Sequence, residues 1–422
     1  MWNKIKIIFR DKDLRKKILF VLLILFLFRV GANITIPGVD LEKLSKFMSS
    51  GFFGFLSIIS GSGLSNLSIM MLGVAPYITA TIIMQLLTMM FPKLKEMYHE
   101  EGEAGKQKFN QYSRLLTVPL AALQAFGLLS MLASNGVLVN LTLFDKIVNI
   151  IIVVAGSVLL MWLGELISEY GIGNGVSLII FAGIVSSIPS VVYRLFTLQF
   201  DPSQIPILIG VLIAIVFIVA GVVVVTEAER PIPISYAKRI RGTRMYGGSS
   251  TYLPLRINQA GVIPIIFALS ILLFPQMIMN FLEGFQDNNI VDTISGILQS
   301  FINNIYLYGT FYFILVFLFT YFYTAVTFDP DAIATNLQKS GAFIPGIRPG
   351  RSTSEYISKI LNKITFFGAM FLGVIAVLPF IMQGITQNPA FAIGGTALLI
   401  VVSVVLELVK QTESQIVMRE YK

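Results

Sequence analysis

Few of the 422 residues are of types that carry covalent or metal chemistry. The chain has no Cys, which removes disulfides, thiolate metal sites and Cys nucleophiles together. The single His, His99, precedes Glu100 and Glu101, with no second His to complete a zinc-binding HExxH helix. Gly171-Ile172-Gly173-Asn174-Gly175 is rich in Gly but follows an apolar run rather than a strand, so it reads as a tight turn between helices. Gly105-Lys106 lacks the upstream Gly and the following Ser or Thr of a phosphate-binding loop. The residues therefore point to a chain that is not an enzyme, with no catalytic set, no metal site and no cofactor. Any ATP-driven work would belong to a partner. What does stand out is cationic: Lys238, Arg239, Arg241 and Arg244 fall within seven residues. Such a patch suits anionic lipid, RNA phosphates or an acidic protein surface, although membrane topology alone also gathers Lys and Arg.

The elements that must position these residues follow from composition. Hydrophobic residues make up 55% and charged residues 13%, against about 25% charged in an average soluble domain. That balance excludes a disordered chain, a nucleic-acid-binding domain and an ordinary soluble enzyme. An all-α polytopic membrane protein is expected. A helix needs about 20 apolar residues to cross ~30 Å of hydrocarbon, and ten such stretches appear: 18–36, 67–91, 115–133, 147–167, 176–193, 205–226, 262–282, 305–328, 364–382 and 395–409. The last is short unless it continues through Lys410. The first is read as a span rather than a cleaved signal, because it is long and no small-residue cleavage site follows.

Lys and Arg then set orientation. With the amino terminus inside, all but five of the 31 basic residues are cytoplasmic: Lys43, Lys46, Lys146 and Arg194 lie outside and Arg29 lies within the first span. Both termini are then cytoplasmic, and two long basic loops, roughly 227–261 and 329–363, face the same side. Arg29 lies past mid-span, where snorkelling to the outer face lowers its cost. Glu165 and Glu407 sit near cytoplasmic span ends, and no ladder of carboxylates suggests ion coupling.

One segment fits neither loop nor span. Residues 52–64, FFGFLSIISGSGL, are too apolar for a water-exposed loop and, at about 20 Å of helix, too short to cross. Irregular backbone at membrane depth survives only inside protein or beside a water-filled cavity, so a half-helix that fills or lines a pathway is expected here; a helix lying flat at the outer interface is the alternative. Pro76, Pro119, Pro264 and Pro379 fall inside spans, where each removes a backbone donor and permits a kink.

Long motifs now carry a resemblance. SIMMLGVAPYITATIIMQLL at 68–87, WLGELISEYGIGNGVSLII at 162–180, YAKR at 236–239, STYLPLRINQAGVIP at 250–264, GAFIPGIRPG at 341–350 and GGTALLIVV at 394–402 resemble the SecY family, the central subunits of bacterial protein-conducting channels. Together these motifs are spread along the chain from 68 to 402. The resemblance implies ten transmembrane helices in two pseudo-symmetric five-helix halves, 1–195 and 196–422, clamped around an hourglass pore. It places a plug on 52–64, with Phe52, Phe55, Ile58, Ile59 and Leu64 as its apolar residues. It places a pore ring on Val74, Ile78, Ile180, Ile184, Ile266 and Ile400. A lateral gate is implied between spans 2–3 and 7–8, with Gln85, Gln124, Asn258 and Phe274 at it.

An apolar constriction gates by dewetting, which excludes ions while a passing chain can fill the gap. The implied task is translocation of unfolded secretory preproteins with signal sequences across a bacterial plasma membrane, with apolar segments released sideways into the lipid. Arg241, Arg244 and Arg348 are implied to meet the ribosome and the SecA motor, SecE to clamp the halves and SecG to lie alongside. Two departures are visible: Val74 stands where Ile is common, and Ser62-Gly63-Leu64-Ser65-Asn66 lacks the basic residue often found after the plug. A secondary transporter of inverted repeats with a broken helix is the competing reading, and it requires polar groups at the midplane. An intramembrane enzyme would need a catalytic set that the residues do not supply.

Overall fold

The computed structural model describes residues 11–40, 43, 67–99, 101–134, 136–138, 142–197, 205–236, 239–241, 244–246, 250–282, 289–386 and 395–420. Ten helices occupy the ten expected spans: α1 Lys12–Gly31, α2 Ala75–Met90, α4 Gly102–Ser134, α5 Leu143–Tyr170, α6 Gly175–Thr197, α7 Ile205–Glu227, α8 Ile263–Leu282, α10 Ile305–Thr327, α12 Arg351–Thr386 and α13 Gly395–Glu420. Three shorter helices lie between them: α3 Pro92–His99, α9 Asn289–Asn303 and α11 Pro330–Lys339. By length and apolar content, Gly102–Ala133, Leu143–Tyr170, Ile305–Lys339 and Arg351–Met382 can each cross a bilayer unaided. The final helix does continue through Lys410, and it runs to Glu420.

The boundaries follow from local chemistry. Asp11 caps α1 by accepting from the Asp13 and Leu14 amides at 2.9 and 3.4 Å. Thr142 and Asp145 form a reciprocal capping box at the start of α5. Asn304 caps α10 by accepting from the Tyr306 and Leu307 amides, and Asp329 caps α11 by accepting from the Asp331 and Ala332 amides. Phe91 is extended because Pro92 follows it, and the chain bends by 116° between α2 and α3.

Two expectations are corrected. The second span is not helical from 67: residues 67–74 form turns, and α2 begins only at Ala75. Gly73 takes a left-handed φ of 60°, and the Ile36 and Ile69 amides bond the Leu67 and Ile34 carbonyls at 2.9 Å. This irregular backbone is enclosed by protein, with Leu67 and Ser68 fully buried and Met70 and Met71 nearly so. Pro76 and Pro264 are also not mid-span kinks. Both sit in the first turn of their helices, where the missing N–H has no intrahelical partner to lose. Pro119 and Pro379 do lie within α4 and α12, as do Pro189 in α6 and Pro275 in α8.

The long loops are structured. After α7 come β1 Glu229–Tyr236, β2 Arg239–Arg241, β3 Arg244–Tyr246 and β4 Ser250–Arg256, and after α11 comes β5 Ala342–Phe343. The order β4-β1-β5 is antiparallel throughout, and β2 with β3 forms a separate hairpin. Pro231 faces Pro254 across β1 and β4. Neither has an N–H, so their positions must be the non-bonded ones, and the ladder bonds belong to Arg230–Leu255 and Ile232–Leu253. The ring nitrogens therefore face outward on both strands and blunt edges open to strand addition. Ile232 and Leu255 bury against Ile344, Ile357, Ile360, Leu361 and Ile364, so the two loops share one core with the first turns of α12. At about 54 Å, α12 extends well past the hydrocarbon and carries that core beyond the bilayer.

Candidate functional site

The main core cluster joins α1, α2, α5, α6, α7, α8, α10, α12 and α13, and it contains all six residues expected in the ring. Val74 is the N-cap residue of α2 and Ile78 lies one turn on. Ile180 and Ile184 stand one turn apart on α6, Ile266 is in the first turn of α8, and Ile400 lies in the second turn of α13. Val74, Ile180, Ile184 and Ile400 are each at most 4% exposed, and Ile78 and Ile266, half-buried, pack against the same cluster. Four helices from distant parts of the sequence thus bring β-branched side chains together. The cluster is wider than these six, with Leu178, Ile179 and Leu269 among its other members.

The approach of α5 to α6 depends on glycine. A Cβ at Gly175 would overlap the Gly164 carbonyl oxygen, and one at Gly156 would overlap the Ile69 carbonyl oxygen. Ser168 Oγ accepts from the Gly175 amide at 2.9 Å and donates to the Gly164 carbonyl at 3.1 Å, which closes the turn between the helices. Gly173 takes a φ of 91° in that turn. The Gly-rich stretch is a helix-helix turn, as its position after an apolar run suggested.

Helix α8 packs against both α2 and α4. Gln85 lies on α2, Gln124 on α4 and Asn258 in the turn before α8, and Gln124 and Asn258 are buried at 8% and 6% exposure. Gln85 Oε1 and Asn258 Oδ1 have no hydrogen-bond partner among the described residues. No hydrogen bond joins these three residues to one another there. Asn258 also lies against α12, where a Cβ on Gly368 would come 2.8 Å from the Ile257 carbonyl oxygen. Phe274 is part of α8, and its side chain falls outside the description.

The plug residues Phe52, Phe55, Ile58, Ile59 and Leu64 lie outside the described residues. Arg241 and Arg244 pair across the β2–β3 hairpin by their backbones. Arg348 is exposed between β5 and α12, and its carbonyl accepts from Thr353 Oγ1 at 2.9 Å. Ser354 donates to Asp331, tying the start of α12 to α11. Arg29 turns toward α6, where its Nη1 donates to Ser186 Oγ at 3.2 Å. Sequence reasoning missed the shared loop core and the Tyr312 hydroxyl in the main cluster, which has no hydrogen-bond partner among the described residues. The alternation of Ile232 and Ile234 with Pro231 and Pro233 was the available signal for the first of these.

Comparisons with known proteins agree with this architecture. The SecY family model matches residues 68–409. The chain is 44% identical over 436 residues to the protein translocase subunit SecY of Corynebacterium glutamicum, covering 98% of each chain. It is 43% identical over 436 residues to that of Mycobacterium tuberculosis, covering 98% of this chain and 97% of the relative. Among solved structures it resembles a protein-conducting channel with a TM-score of 0.62 at 21% identity, covering 94% of this chain and 91% of that one. Sec61 in a canine ribosome-channel complex gives a TM-score of 0.59 at 20% identity over the same shares. These structures share the fold of a polytopic membrane protein of ten transmembrane helices. With the family model spanning most of its length and near-full-length relatives above 40% identity, the chain belongs to the SecY family.

Proposed function

We propose that this chain forms the pore of a protein-conducting channel, through which unfolded secretory polypeptides with signal sequences cross the membrane and apolar segments pass sideways into the lipid. The observation that carries the reading is the convergence of Val74, Ile78, Ile180, Ile184, Ile266 and Ile400 in one apolar cluster, within a chain whose relatives are translocase subunits. A ring of such side chains expels water when empty and deforms around a passing chain, so translocation needs no covalent step. An ion-coupled transporter would require charged or polar groups at that depth, whereas the six residues assigned to the ring are all apolar.

In this reading, residues 1–195 and 196–422 are the two halves and 52–64 is the plug. The seam of α8 against α2 and α4 is the lateral gate, with Gln85, Gln124, Asn258 and Phe274 along it. The membrane is the bacterial plasma membrane, with both termini cytoplasmic by the Lys and Arg count. The β2–β3 hairpin and the segment around Arg348 then face the cytoplasm, where Arg241, Arg244 and Arg348 would meet a ribosome or the SecA motor. SecE would clamp the halves and SecG lie alongside.

The test is a site-specific photocrosslink from Ile180 to a stalled secretory polypeptide, in membranes containing SecE and SecA. A crosslink that depends on both a signal sequence and ATP supports the pore. A fully translocated passenger with no crosslink would place the path elsewhere and send the search to solute uptake.

A further inference from the structure

Helix α9, Asn289–Asn303, is a helix that no span accounts for, and it packs against both α8 and α10. Ile294, Ile297, Leu298 and Phe301 recur at the helical spacing of one face, while Asp292, Gly296, Gln299 and Asn303 fall opposite. The stretch carries no Lys or Arg. Protein covers only part of the apolar face. The Phe301 ring lies 6.0 Å from that of Tyr308 and 5.4 Å from that of Phe311. Ile294 is nevertheless 41% exposed and Ile297 is 64% exposed.

What covers the remainder follows from α10. Leu307, Phe311, Ile314 and Leu318 form one exposed apolar stripe along that spanning helix, which is the face a span presents to lipid. Phe311 belongs to this stripe and touches Phe301, so the apolar face of α9 continues the lipid-facing surface of α10 around its outer end. A helix with one apolar face and one polar face, short of a full span, is the form that lies in the plane of a membrane interface.

We propose that α9 is an interfacial helix of the outer leaflet, with Ile294 and Ile297 immersed in lipid acyl chains beside α10. The occupant is hydrocarbon rather than an anionic headgroup, because the helix offers no cation to hold one. Since α9 also packs on α8, it moors to the outer leaflet the helix that closes against α2 and α4. The inference rests on the cytoplasmic placement of both termini, which puts the α8–α10 connection outside.

The absence of native Cys makes the test direct. Ile297→Cys and Gln299→Cys are introduced singly into the full chain, purified with its accompanying subunits in phosphatidylcholine and phosphatidylglycerol vesicles, and labelled with a nitroxide. The expected result is a depth parameter of opposite sign at the two sites, with Ile297→Cys relaxed by oxygen and Gln299→Cys by an aqueous nickel chelate. Nickel access at Ile297→Cys equal to that at Gln299→Cys would overturn the proposal by placing the face in water. Protection of Ile297→Cys from both reagents would overturn it by placing a protein there. In intact cells an impermeant maleimide should label Gln299→Cys from outside; labelling only after permeabilisation would overturn the orientation and leave the other two results to judge the apolar face separately.

Discussion

Gly175, in the first turn of α6, lies so close to the carbonyl oxygen of Gly164 on α5 that no Cβ fits between them. Ser168 bonds both residues, so the turn is closed by a hydroxyl as well as by contact. Because Ile180 and Ile184 stand on the following turns of α6, this approach sets where two of the six clustered apolar side chains sit.

Gly175→Ala should therefore separate α5 from α6 and lower stability by about 1–3 kcal/mol, the usual range for overpacking. Thermal unfolding in detergent reads this as a reduced Tm, and ion leak through vesicles should rise as Ile180 and Ile184 shift. An unchanged Tm would show that the helix pair absorbs the methyl group.

Replacing the six clustered residues by Ser should hydrate the proposed constriction, because each exchange would put a hydroxyl where a hydrocarbon would exclude water. Conductance in planar bilayers should rise, and translocation of passengers with defective signal sequences should increase. Membranes that stay tight to ions with all six replaced would remove these residues from the seal.

Gln85 Oε1 and Asn258 Oδ1 are buried without partners among the described residues, and such a group costs about 1–3 kcal/mol when water cannot reach it. If the seam of α8 against α2 and α4 is the proposed gate, its opening would hydrate them and they would bias the gate toward opening. Gln85→Leu and Asn258→Leu should stabilise the closed form and slow preprotein translocation into inverted vesicles. A rate equal to wild type in the double variant would show that neither carbonyl is hydrated during opening.

Pro254 can be replaced without loss of a ladder bond, since its nitrogen faces away from β1. Pro254→Thr should cost only about 0.4–1 kcal/mol through greater freedom of the unfolded chain. Leu255→Ala, one residue on, removes a fully buried side chain and should cost about 2–5 kcal/mol. Unfolding midpoints of the two variants check the contrast. A larger loss at Pro254 would contradict the assigned bonding pattern.

The ten spans and the asymmetry of Lys and Arg were legible in the residues, because both follow from the properties of a bilayer rather than of this fold. Twenty apolar residues read as a span whatever they pack against. The start of α2 was not legible. Nothing in the hydropathy of 67–74 separates an apolar helix from apolar turns, and only enclosure by α5, with Gly156 against the Ile69 carbonyl, lets such backbone persist at depth. The proposed ring positions rest on motif likeness alone, since nearly every span offers β-branched residues at mid-depth and periodicity ranks none above another.

Tertiary structure decided the rest. Ile232 and Leu255 lie more than a hundred residues from Ile360, and no local pattern announces that two loops share a core. Gln85, Gln124 and Asn258 are ordinary polar residues in the sequence. Burial leaves an oxygen of Gln85 and one of Asn258 without a partner among the described residues, because a hydrogen bond depends on which groups meet in space.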